Sequence, residues 1–295
     1  MADALLESFE RDIERLAKVV DSYEHMQVLG ALDFDGSPVP AGAEYVYEAA
    51  QKVRNSAADA VSGFPLSRGA MFIQAASRFE FFVRSEVEDL ALRASNHAKK
   101  FSHLPKEMRD NLLRLSAMVL ESPRKFRMAS QVTNIVGTLA RNLSGEDGPG
   151  EINHRCLSIT SENMRASVIK DLFGRLGVKD IWQRIGQNAQ VQVYLEMTDA
   201  NQVSSACQSR LNQAMDRRNS FAHSGDSITW PSADELRALF AFLTELARAI
   251  SSVIPVSELA LKAVSDDIKA RAGDVQAGAD EAVVVELIDD HPVGS

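Results

Sequence analysis

The stretch "LNQAMDRRNSFAHSG", Leu211 to Gly225, sets the reading of this chain. Leu211, Ala214, Met215, Phe221 and Ala222 recur at helical spacing, so the segment is an amphipathic helix with a core-facing stripe. Arg218 falls inside that stripe, where an aliphatic side chain is expected. Asn219 and His223 are four residues apart and share one face, so the amide can orient the imidazole. Arg218 and His223 differ by five residues, about 140° around a regular helix, so they project together only if the helix ends near the histidine or a second copy completes the site. Gly225 is placed to end it.

A buried guanidinium needs a counter-charge, because an unpaired one is costly. Working outward, "IQAASRFEFFVRSEVEDL" carries a second stripe, Ile73, Ala76, Glu80, Val83, Val87 and Leu90, again broken by one charge. If the two helices pack, Glu80 meets Arg218; a plain buried ion pair holding two helices fits the same pattern. Three Arg-Asn pairs occur, at Arg54, Arg141 and Arg218, and only the last has a histidine five residues after the arginine. Chance would supply that combination in roughly two sequences per hundred of this composition.

The rest of the chain reads as helices. Periodic apolar residues mark 3–28, 44–61, 70–96, 104–120 and 123–143, with Pro105 suited to a first turn. "TSENMRASVIKDLFGRLGV" opens with Thr160 and Ser161 as capping candidates and stops at Gly177. Pro231, Ser232 and Asp234 initiate a last long helix that Pro255 is expected to stop. The expected organisation is an N-terminal helical segment (1–62), a bundle (63–255), and a short helix with a mobile acidic tail (256–295).

Composition narrows the function. At 295 residues and 45% hydrophobic the chain can bury a sizeable core. A formal net charge of −9 argues against coating nucleic acid by bulk attraction, yet 97–128 holds eight Lys and Arg against three Asp and Glu. Lys99, Lys100, Arg124 and Lys125 there, and Arg217 beside the motif, are the candidate substrate contacts; a solvated surface is the blander reading of the segment. Asp266 and Asp267, with the acidic residues of the tail, are candidates to compete with phosphate for these cations. His97 and His103 read as surface residues, and Trp182 and Trp230 as packing anchors. Two cysteines without ligand spacing, an acidic N-terminus and no evident apolar run of about 18 residues point to a reducing, cytoplasmic setting with no membrane span. No metal-ligand cluster and no cofactor fingerprint are evident, so neither a metal nor a cofactor is expected.

"RRNSFAHSG" resembles the RNxxxH form of the Rx4–6H motif of the HEPN superfamily. "RFEFFVRSEVEDL" resembles that family's early acidic helix, and "ENMRASVIKDLFGRLGVKDIWQRI" resembles the segment before the motif in the branch related to the ribonuclease domain of ribonuclease L. The likeness covers about residues 65–255. It implies an all-α antiparallel helical bundle, a homodimer with two motifs across its interface, and metal-independent RNA cleavage by Arg218, Asn219 and His223 with Glu80 in support. It also implies a possible cognate antitoxin. The alternative is a non-catalytic HEPN-like module that docks a partner protein or a nucleotide.

Overall fold

The periodic stretch 70–96 lies inside a helix of 35 residues in a computed structural model, which describes residues 2–32, 42–145, 151–222 and 229–288, for 2–3 and 273–288 the backbone course alone. Every regular element among the described residues is helical: α1 (Ala2–Ala31), α2 (Glu44–Val61), α3 (Phe64–Ala98), α4 (Lys106–Glu121), α5 (Val132–Ser144), α6 (His154–Leu157), α7 (Ala166–Gly174), α8 (Ile181–Gly186), α9 (Ala189–Leu195), α10 (Ala200–Ala222) and α11 (Ala233–Ile288). The fold is all-α, as the periodicity requires.

The chain forms two compact units, each drawn from separate stretches rather than from consecutive segments. The first comprises residues 1–83, 162–169 and 182–251. Its core takes Phe9, Ile13 and Val20 from α1, spaced four and seven apart so that one face is apolar. From α3 come Phe72, Phe79 and Phe82. Phe9 packs on Phe79 edge-on at 6.1 Å and on Phe82 at 5.3 Å, and Tyr23 stacks on Phe64 at 4.6 Å, which ties α1 to α3. Leu236, Phe240, Leu243 and Ala247 give α11 the matching stripe. Buried Cys207 belongs to this unit, and burial pushes its thiol up to about 11.

The second unit comprises 84–161, 170–181 and 252–295. Val87, Leu90, Ala94, Leu104, Met108, Leu112, Leu115 and Leu172 fill its core. Arg175 is buried there with its charge well compensated: Nη1 donates to Leu157 O and Ile159 O at 2.7 and 2.8 Å, and Nε and Nη2 donate to Asp171. Gly177 ends the α7 region with φ +96°, Val178 N reaching back to Phe173 O at 3.0 Å, a left-handed stop that a side chain would strain. Cys156 is buried in this unit, and burial raises its thiol.

Several expectations are corrected. α7 starts at Ala166, five residues past Ser161, and its first amide donates to Asn212 Oδ1 on α10 at 3.0 Å. α5 starts at Val132 rather than near Pro123, because Arg127 takes a left-handed φ of +56° that breaks the helical course. Pro255 does not stop the last helix, which runs to Ile288. Its ring lies on the exposed face, while Val253, Ile254, Ser257, Leu261 and Ser265 keep a buried stripe in register on both sides. That burial outweighs the one backbone bond a proline forfeits. The tail expected to be mobile is therefore helical through Ile288, and residues 289–295 lie outside the described residues.

Residues 233–272 are also long and apolar enough to cross a membrane by length and composition, contrary to the expectation that no segment qualifies. The most apolar window is 56% buried within the protein, the behaviour of a core helix. Asp266 pairs with His97 at 3.0 Å and with Lys269 of its own helix at 3.2 Å, both of which hold its carboxyl below the usual range.

Pro255→Ala restores the missing N–H and adds helix propensity, partly offset by a more flexible unfolded chain. The expected outcome is a net gain of about 1–2 kcal/mol in chemical denaturation. A lower denaturation midpoint would show that the proline is required where it stands.

Candidate functional site

α10 is built so that its two faces do different work. Asp199 starts it, its carboxylate accepting from Gln202 N at 2.8 Å. Val203, Cys207, Leu211, Ala214, Met215 and Phe221 are buried. Ala222, expected on that stripe, is exposed, because it projects one step past Phe221 and beyond the packed face. On another side lie Asn212, Asp216 and Asn219, spaced four and three apart and so stacked along one line.

The segment ahead of α7 is fastened along that line. Ala166 N bonds Asn212, Arg165 pairs with Asp216, and Asn163 Nδ2 donates to Asn219 Oδ1 at 2.6 Å. Trp182 Nε1 donates to Ala166 O at 2.9 Å and is buried, the packing role its sequence context suggests.

Arg218 is half-buried rather than enclosed, so its guanidinium keeps part of its hydration and is spared the full penalty of an interior charge. Its Nη1 donates to Asn163 Oδ1 at 3.0 Å and to Asn219 Oδ1 at 3.3 Å. The acceptors described for it are thus amide oxygens. Glu80 is half-buried on α3 in the same unit. His223, the remaining member of the motif, lies outside the described residues.

Arg217 is committed within the fold. Its Nη1 and Nη2 donate to the two carboxylate oxygens of Glu235 at 2.9 and 3.3 Å, and its guanidinium sits 5.8 Å over Phe72 and 5.6 Å over Phe221. Glu235 also closes a capping box on α11: its Oε2 accepts from Ser232 N at 2.8 Å, and Ser232 Oγ accepts from Glu235 N at 3.1 Å. These bonds hold the Glu235 carboxyl below the usual carboxylate range, Arg217 contributing most. Phe221 meets Phe72 edge-on at 5.1 Å and stacks on Trp230 at 5.8 Å, so Trp230 anchors the connection after the motif.

Lys99, Lys100, Arg124 and Lys125 are exposed and belong to the second unit, while Arg217, Arg218 and Asn219 belong to the first. Asn163, Asn212 and Asp216 went unremarked in the sequence. The polar repeat at 212, 216 and 219 was a readable signal on the helix; nothing in the sequence pointed to Asn163.

A family model described as RiboL-PSP-HEPN matches residues 52–255, a span that includes Glu80, Asn163 and the whole motif. No curated protein and no solved structure matches the chain.

Two outcomes follow from this packing. A Cβ added at Gly69 would collide with the Trp230 ring, which is held by Phe221 and cannot swing freely away. Gly69→Ala should therefore cost about 1–3 kcal/mol and shift the tryptophan fluorescence, whereas an unchanged denaturation curve would show that the ring is loosely held. Because the folded-state carboxyl of Glu235 is depressed, its stabilising effect is present above the unfolded value near 4.3 and is lost as pH falls through the lower folded value. Glu235→Gln should lower stability at pH 7 by no more than about 1 kcal/mol, since the pair is part-exposed, and the deficit should fade as pH falls through the folded-state value. A deficit that persists in acid would assign the effect to the capping box alone.

Proposed function

The chain belongs to the RiboL-PSP-HEPN family, and from that premise we propose that it is a metal-independent endoribonuclease acting in the cytoplasm as a toxin or anti-phage defence effector. The observation that carries the reading is the pair Arg218 and Asn219, half-buried and joined by a hydrogen bond, with Asn219 four residues ahead of His223. A site that handles a phosphodiester needs a cation that is ordered yet reachable, and a half-buried arginine held by neutral amides meets both demands.

In the proposed reaction a ribose 2′-oxygen attacks the adjacent phosphorus while the bond from phosphorus to the 5′-oxygen breaks. Histidine, with an ordinary pKa near 6.5, serves at neutral pH to take the 2′ proton or to give one to the 5′-oxygen. A homodimer supplies two copies of His223, one for each transfer. Arg218 offsets the charge that builds on the phosphoryl oxygens, Asn219 positions, and Glu80 supports the guanidinium electrostatically. The products are a 2′,3′-cyclic phosphate and a 5′-hydroxyl. Lys99, Lys100, Arg124 and Lys125 guide the RNA backbone. Arg217, already bonded to Glu235, contributes through the packing of Phe72 and Phe221 rather than by direct phosphate contact. A cognate antitoxin is the proposed restraint on the activity.

Arg218's bonds within its own fold favour a second reading, a docking module in which the motif serves stability. The test separates the two. Purified protein with total RNA in EDTA should leave cyclic phosphate ends, and His223→Ala and Arg218→Ala should each lower the rate by about 100-fold or more. Equal cleavage by His223→Ala would overturn the mechanism. Intact RNA, together with lost dimerisation in Arg218→Ala, would select the docking module.

A further inference from the structure

Asn163 sits between the two described motif side chains and touches both. It accepts from Arg218 Nη1 through Oδ1 at 3.0 Å and donates through Nδ2 to Asn219 Oδ1 at 2.6 Å, while Arg218 Nη1 also reaches Asn219 Oδ1 at 3.3 Å. The three groups close a ring of donors and acceptors, and only one set of amide orientations satisfies it. Turning Asn163 over would set its N–H against the arginine N–H and its oxygen against the oxygen of Asn219. Turning Asn219 over would set its N–H against two donors. Its oxygen therefore faces Arg218 and Asn163, and, because an amide is planar, its two N–H donors face the other way.

We propose that Asn163 is a positioning residue of this site: it fixes the Arg218 guanidinium and orients Asn219 as a hydrogen-bond donor toward whatever the motif handles. The inference rests on the reading of Arg218 and Asn219 as reacting-site residues. Its structural basis is the bond of Asn163 to Asn219 together with that of the Ala166 amide to Asn212, neither of which involves the Arg165 side chain; they give Asn163 a fixed address on α10 although it lies 56 residues from Asn219 in sequence. Holding a flexible guanidinium in one rotamer before substrate arrives removes an ordering cost from the reaction itself.

Three substitutions separate this role from plain loop anchoring. Asn163→Ala removes both bonds; Asn163→Asp keeps an acceptor for Arg218 but has no N–H for Asn219; Arg165→Ala removes the neighbouring attachment to Asp216 and leaves Asn163 in place. With RNA as substrate, Asn163→Ala and Asn163→Asp should each lower kcat by about 10-fold or more with KM within about threefold, while Arg165→Ala stays within about threefold of the parent in both. Equal losses in Asn163→Ala and Arg165→Ala, or full activity in Asn163→Ala, would overturn the proposal. A second readout does not need cleavage. In protein carrying nitrogen-15 arginine, rotation about the Cζ–Nη1 bond of Arg218 should be slow in the parent and in Asn163→Asp, and fast in Asn163→Ala. Equal rotation in all three overturns the proposal whatever the RNA does. Slow rotation released by Asn163→Ala, in a protein that cuts no RNA, upholds the positioning and discards the nuclease reading instead.

Discussion

A guanidinium on a packed helix must be held in place without leaving its donors unmet, and α10 meets that constraint by division of labour between its faces. Val203, Cys207, Leu211 and Met215 bury one side and fix the helix in its unit. Asn212, Asp216 and Asn219 take up the segment ahead of α7 on another. Arg218 lies between these faces, half-buried, its Nη1 donating to the amide oxygens of Asn163 and Asn219. A buried arginine, as Arg175 shows in the second unit, makes four hydrogen bonds within its own fold. The two arginines differ in burial, and with it in how much of each guanidinium solvent can reach.

Arg217 extends the same logic. Adjacent to Arg218 in sequence, it turns about 100° around the helix and meets Glu235 and two aromatic rings. The carboxylate that holds it also caps α11, so the start of one helix and the end of another share a single charged group. Trp230, stacked on Phe221 and pressed against Gly69, finishes the packing on that side.

Much of this was legible in the sequence, for reasons that can be named. The stripe on α3 announced a long helix because its apolar spacing repeats, broken only at Glu80, and Gly177 announced a stop because a left-handed backbone closes the turn there. Ser232 was visible as an initiator, and Glu235 three residues on completes the signature. Pro255 misled, because a proline on a solvent-facing side removes one bond without disturbing the stripe beneath it, and local rules do not weigh that burial. The sequence placed Arg218 fully inside the stripe, whereas the helix leaves it half-buried at the edge of that face. Asn163 was beyond reach because its address depends on a contact between a helix and a connecting segment far apart in the chain.

The two thiols carry a consequence for how the folded protein opens. Cys207 lies in the first unit and Cys156 in the second, each enclosed and each with its proton held more tightly than in water. Neither is an effective nucleophile until its surroundings part, so alkylation of each reports a local excursion rather than chemistry at a surface. The chain thus contains two internal clocks, one per unit, whose separate rates measure whether the units breathe together or apart.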